Sequence, residues 1–203
     1  MKSLKSDHRG VSLVELVVVI AIITILSATT VGLLALLPRR QVIGCGTEVV
    51  SMLEKTRTNA ISYNDAWLVL YYTEEGVYGQ ICTRKYLDDG SGTYSYQVVS
   101  EDPTKIGNPG IKLAYAVTEG GTVTELPIQE TGKTSHLIVR YDRSSGAFKT
   151  TELMIKDNSD PYDINDASEI SGSPVKEIHA LKGSVTYVAS MNKLTGKVIG
   201  SML

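Results

Sequence analysis

Glu15 is the residue whose position most demands a chemical explanation. It stands between Arg9-Gly10-Val11 and a run from Leu16 to Leu37 that holds 22 residues without a charge. As a helix that run would measure about 33 Å, which matches the hydrocarbon thickness of a bilayer. An unpaired carboxylate beside such a segment costs at least roughly 2–3 kcal/mol, so Glu15 is expected to have a partner or a task. The plainer reading is a first-turn glutamate favoured by the helix dipole.

Other reactive residues form no recognisable catalytic set. His8, His136 and His179 are scattered and no CxxC is present, so no metal-ligand spacing exists. Lys133-Thr134 follows Gly132, but a phosphate loop would need glycine where Pro127 stands. Asp157, Asp160, Asp163 and Asp166 recur every third residue in a segment without glycine. That suits a solvated loop better than an EF-hand calcium loop, whose ligands alternate around a glycine at the sixth position. Lys176, Lys182, Lys193 and Lys197 outnumber Glu177 in the C-terminal stretch, where Tyr187 alone could stack on a base. An ordinary solvated face is the expectation there, with DNA contact through Lys193 and Lys197 as the alternative. Nothing singles out a triad, a zinc site or a paired-acid hydrolase, so the chain is read as a non-enzyme that needs no cofactor.

The elements that would carry these residues follow from periodicity. One long helix is predicted from Val11 to about Asn64, loosened near Gly32 and Pro38, with a further break possible at Gly44 and Gly46. Its second half spaces Val42, Gly46, Val49, Leu53, Thr56 and Ala60 alternately by four and three, which makes one face suited to packing on a sheet. Beyond Asn64-Asp65 the texture turns to strand and turn. Ala66–Thr73 and Val77–Arg84 read as a hairpin around Glu75-Gly76. Further strands are predicted at Thr93–Ser100, Ile111–Val117, His136–Tyr141, Ala147–Thr150 with Glu152–Lys156, Glu177–Leu181 and Ser184–Val188. Breaks at 89–92, 108–110, 120–121 and 144–146 separate them. About 140 residues are enough for one core and too few for two.

Charge sets the expected topology. Residues 1–10 carry Lys2, Lys5 and Arg9 against Asp7, a net +2, and removing them from the formal −2 of the 203-residue chain leaves −4. The positive-inside rule keeps the basic N-terminus in the cytoplasm and places the C-terminal part outside, although Arg39-Arg40 oppose it. A mildly acidic exterior gives no electrostatic case for wholesale nucleic-acid binding. Cys45 and Cys82 would then face an oxidising compartment. A bridge between them would contribute about 3–4 kcal/mol if unstrained, and two separate buried thiols are equally consistent with the sequence.

The stretch from Gly10 to Ile25 resembles the type III signal of type IV pilins and type II secretion pseudopilins. There a short basic leader ends in Gly, a hydrophobic residue follows, and Glu stands fifth in the mature chain, here Gly10, Val11 and Glu15. This chain departs from the pattern in starting with Val11 rather than Phe or Met, and in having Thr24 where a mid-helix Gly is common. It also has Gly32 where many members carry Pro. The resemblance implies cleavage after Gly10 and N-methylation of Val11 by a prepilin peptidase. It also implies pairing of Glu15 with the freed Val11 amine in subunit assembly. The implied partners are other pilins or pseudopilins, an inner-membrane assembly platform, and membrane lipid before assembly.

Leu53–Val69, Ile138–Gly146 and Leu194–Val198 add a patchier similarity to H-type pseudopilins and FimT-like minor pilins. In those proteins the helix packs against two β-sheets at or near a fibre tip, some pseudopilins bind calcium, and FimT-like members capture DNA. The expected class is therefore α+β and pilin-like, a long N-terminal helix on an antiparallel β domain. The expected divisions are a leader at 1–10, a transmembrane assembly helix at 11–37, its amphipathic continuation at 38–64 and a β-rich exterior domain at 65–203. A static signal-anchored exterior domain is the remaining alternative.

Overall fold

The computed structural model describes residues 12–62, 65–88, 94–130, 133–157, 168–169 and 175–203. Gly10, Val11 and most of the acidic 157–169 segment lie outside the described residues. The chain divides into two compact units, Met1–Leu37 and Pro38–Leu203.

Helix α1 (Leu13–Ser62) is helical at Gly32, Pro38, Gly44 and Gly46, so no break interrupts it at Gly44 and Gly46. Proline forfeits one backbone donor and its fixed φ is compatible with helix, while each glycine costs about 1 kcal/mol relative to alanine. In the first unit the apolar side chains point out all round. Leu13, Leu16, Val17, Val18, Val19, Ile20, Ile22, Ile23, Ile25 and Leu26 are between 48% and 80% exposed, so no single face is reserved for a core. The Thr24 hydroxyl donates to the Ile20 carbonyl at 2.8 Å, which hides its polarity within the helix. Among the described residues no helix is long and apolar enough to cross a membrane. The side chains of 28–35, inside the predicted span, lie outside the described ones.

The second unit holds two antiparallel sheets. β1 (Ala66–Thr73) and β2 (Gly76–Asp88) form the predicted hairpin. β3 (Tyr94–Ser100) and β4 (Thr104–Gly107) pair with different parts of the long β2. β5 (Lys112–Ala116) and β6 (Thr124–Glu125) belong to the smaller sheet. β7 (Lys133–Tyr141), β8 (Phe148–Asp157) and β9 (Ser168–Glu169) complete the larger one, in the order β3-β2-β1-β7-β8-β9. β10 (Glu177–Lys182), β11 (Val185–Met191) and β12 (Val198–Met202) fill the smaller sheet, ordered β12-β11-β10-β5-β6.

The main core lies between α1 and these sheets. All six residues of the predicted helix face are buried, with Val42, Leu53, Thr56 and Ala60 fully so. Val42, Val49, Leu53 and Ala60 join Leu68, Leu70 and Ile81 of the larger sheet and Leu113, Ile178 and Ala189 of the smaller one in a single cluster. Thr56 is tolerated there because its hydroxyl donates to the Met52 carbonyl at 2.7 Å. The alternate residues Trp67, Val69, Cys82 and Ile138 build a second cluster on the opposite face of the larger sheet. Burial on both faces explains why β1 reads as an almost unbroken apolar run.

This alternation also settles the cysteines. Cys45 belongs to the main cluster and Cys82 to the second, so the sheet separates them and no bridge joins them. Burial pushes the Cys45 thiol up to about 12, with Glu48 adding to the effect, so it stays protonated and unreactive at neutral pH.

Candidate processing and assembly site

Ser12 anchors the N-terminal site. The Glu15 N–H donates to Ser12 Oγ at 3.2 Å and the Leu16 N–H to the Ser12 carbonyl at 3.1 Å. Ser12 is therefore the helix N-cap and Glu15 the third helical residue, the Ser-x-x-Glu arrangement of a capping box. Sequence reasoning missed Ser12, although that four-residue signature was present. The geometry suits Glu15 to the helix terminus. Its carboxylate sits in the first turn, at the positive end of the helix dipole, and in sequence it stands four residues after Val11. A new amine at Val11 would be a cation at that same positive end, where it is disfavoured unless a carboxylate answers it. Glu15 is exposed, and among the described residues no cation pairs with it.

The C-terminal lysines are partly brought together. Lys176, Lys193 and Lys197 line a groove of about 360 Å³ with Leu194, Ile199 and Glu119. Lys182 lies elsewhere, donating to Gln41 Oε1 at 2.8 Å and to the Pro109 carbonyl at 2.9 Å. Tyr187, the one aromatic considered for stacking, is 8% exposed and belongs to the main core.

Lys193 and Lys197 occupy a turn with a counterpart in the larger sheet. Asn192 Oδ1 accepts from the Leu194 and Thr195 N–H groups, each at 3.1 Å, and the Gly196 N–H donates to the Asn192 carbonyl at 2.9 Å. Asp142 Oδ1 accepts from the Ser144 and Ser145 N–H groups and from both hydroxyls, and the Gly146 N–H donates to the Asp142 carbonyl. The Ser144 and Ser145 side-chain hydrogen bonds pull the Asp142 carboxyl down to about 2. Gly146 and Gly196 take φ of 65° and 66°, the left-handed region that both turns require.

The two turns abut, since a Cβ on Gly196 would strike the Gly146 carbonyl. Helix residues stitch them together. Arg57 Nε donates to the Gly146 carbonyl at 3.1 Å, and Glu54 Oε1 accepts the Val198 N–H at 3.2 Å. Ile138–Gly146 and Leu194–Val198, conspicuous in the sequence, thus contribute to one structural junction.

His136 is 3% exposed on β7, its ring edge-on to Tyr71 with centroids 5.0 Å apart. Burial pushes its pKa down to about 4. Between pH 4 and 6.5 the unfolded chain therefore binds the proton that the folded chain refuses, and stability rises with pH. The protein is expected to lose about 3 kcal/mol as pH falls from 6.5 to 4, with no further loss from this group below that. Urea unfolding of the detergent-solubilised chain, followed by Trp67 fluorescence, checks this. His136→Phe should flatten that part of the pH profile, and an unchanged slope would assign it to other groups.

A family model described as the prokaryotic N-terminal methylation motif matches residues 5–31. The chain carries the prepilin signal of type IV pilins and pseudopilins, a signal that implies processing and assembly with other such subunits. No curated protein and no solved structure matches the chain.

Proposed function

We propose that this chain is a minor type IV pilin or pseudopilin, a structural subunit rather than an enzyme. A prepilin peptidase cuts it after Gly10 and methylates Val11. Before assembly the Leu16–Leu37 segment spans the cytoplasmic membrane with the N-terminus inside. In the fibre that helix is buried among its neighbours, and the β domain faces outward, at or near the tip.

The observation that carries this reading is the match to the methylation motif at residues 5–31. It is supported by a helix whose described apolar side chains are exposed on every side up to Leu26. A helix apolar all round requires cover, and lipid before assembly and packed helices afterwards supply it in turn. The lysine groove gives the DNA-uptake reading little support, because no aromatic lines it.

The test is the intact mass and N-terminal sequence of membrane-extracted protein, with and without a co-expressed prepilin peptidase. A chain beginning at N-methyl-Val11 only when the peptidase is present is the expected result. A chain beginning at Met1 in both samples would leave a static signal-anchored domain.

A further inference from the structure

Two surfaces at opposite ends of the larger sheet's neighbourhood complement each other in charge. At one end the β1–β2 turn opens a groove of about 740 Å³ lined by Tyr71, Tyr78, Ile128, Glu74, Glu75 and Glu130. The two tyrosine rings stack with centroids 5.4 Å apart and planes 11° from parallel, giving the groove an aromatic wall. The Tyr78 hydroxyl donates to Glu75 Oε2 at 3.3 Å. Among the described residues no cation pairs with Glu74, Glu75 or Glu130, so three carboxylates border a groove whose apolar contribution comes from Tyr71, Tyr78 and Ile128.

The other surface is the tip of the β11–β12 turn. Leu194 there is 83% exposed, the highest value among the exposed large hydrophobics, and Lys193 and Lys197 flank it. Neither lysine is in an ion pair among the described residues. Asn192 and Gly196 hold the turn in one shape, so little conformational freedom is lost when it docks.

Strand direction places these surfaces apart. β7 is antiparallel to β1, with Trp67 opposite Arg140, so the β7–β8 turn lies where β1 begins. The β11–β12 turn abuts that turn at Gly146 and Gly196. The acidic groove lies where β1 ends, seven residue steps or about 23 Å away along the strand. One molecule therefore cannot satisfy its own pair, but a second copy can.

We propose that the Lys193-Leu194-Thr195-Gly196-Lys197 turn of one copy seats in the acidic tyrosine groove of the next. Leu194 enters against Tyr71 and Tyr78, and the lysines meet Glu74, Glu75 and Glu130. The contact is heterologous, with a different patch on each side, so it joins one copy to the next near the tip without closing a two-fold dimer. Charge complementarity selects the partner and its polarity. The inference deepens the fibre-subunit reading and rests on it for its biological setting.

The test uses the full-length chain in detergent micelles, as an equal mixture of isotopically light and heavy protein treated with a zero-length carbodiimide. Light-to-heavy amide links from Lys193 or Lys197 to Glu74, Glu75 or Glu130 are expected. The variants Lys193→Glu/Lys197→Glu and Glu74→Lys/Glu75→Lys should each self-associate at least tenfold less. Mixing the two should restore association, because each reversed turn then meets a reversed groove. Native Trp67 fluorescence confirms that each variant folds.

Failure of the mixture to restore association would overturn the proposal, as would absence of the mixed links. Loss of DNA retention by Lys193→Glu/Lys197→Glu, with no rescue on mixing, would overturn it in favour of a DNA surface. N-terminal sequencing separates the two readings. Correct processing without rescue removes this interface alone, whereas an unprocessed wild-type chain removes the subunit reading and leaves the micelle result interpretable.

Discussion

Glu15→Val is expected to leave cleavage after Gly10 intact while lowering recovery of the chain in sheared fibre fractions by at least about 100-fold. Cleavage after Gly10 would create an amine at Val11. In a fibre core of packed apolar helices that cation has few sources of compensation, and Glu15 is the one acid between Gly10 and Leu37. Removing one member of a buried ion pair costs about 3–5 kcal/mol, because the surviving charge is left uncompensated. At about 1.4 kcal/mol per tenfold, that corresponds to about two to three and a half orders of magnitude in incorporation.

Ser12→Ala provides the contrast. It removes the cap that accepts the Glu15 N–H, a loss of about 1 kcal/mol, so it should lower recovery by less than about tenfold. Equal defects for the two variants would mean that Glu15 serves only the helix terminus. Wild-type recovery of Glu15→Val would sink the pairing role altogether. N-terminal sequencing of both variants shows whether processing is intact.

The second large effect is on stability, at Gly46. A side chain there would run directly into the Tyr187 ring, whose other parts press against Gly200 on β12. Gly46→Leu should gain up to about 1 kcal/mol in helix propensity. It should lose far more by forcing the helix away from the smaller sheet, for a net destabilisation of about 4 kcal/mol. Trp67, the chain's one tryptophan and fully buried, reports the unfolding transition in urea.

A double variant makes the cause explicit. Tyr187→Ala alone should cost about 3 kcal/mol through the cavity it leaves. Combined with Gly46→Leu it should cost well under the sum, because the new leucine occupies the space the ring vacated. Strict additivity would show that Gly46 and Tyr187 do not share that space. A neutral Gly46→Leu would contradict the close approach of helix and sheet.

Much of the fold was legible because it depends on local period. The helix stripe from Val42 to Ala60 is a 3.6-residue pattern, and every member is buried. β1 was located at Ala66–Thr73 because eight consecutive residues favour strand and a turn follows. β8 was read as two pieces, Ala147–Thr150 and Glu152–Lys156, yet it runs unbroken as Phe148–Asp157 because β7 pairs along nearly its whole length. β4, β6 and β9 were missed because two to four residues carry no periodicity. β12 was missed because Gly200 interrupts its pattern, and that glycine is required only by the Tyr187 hydroxyl beside it.

The sequence by itself determined what rests on covalent order. It placed Gly10, Val11 and Glu15 in the spacing of the prepilin signal, and Ser12 three residues before Glu15. It also set the uncharged length after Glu15, since none of these depends on distant residues. Tertiary structure decided everything that turns on which face a residue takes. It put Cys45 and Cys82 on opposite sides of a sheet and drew Lys193 and Lys197 toward Lys176 but away from Lys182. It set Glu54 and Arg57 against two turns far away in sequence. Strand pairing fixes those outcomes, because shifting a strand by one residue exchanges its faces, and no local pattern records the partner.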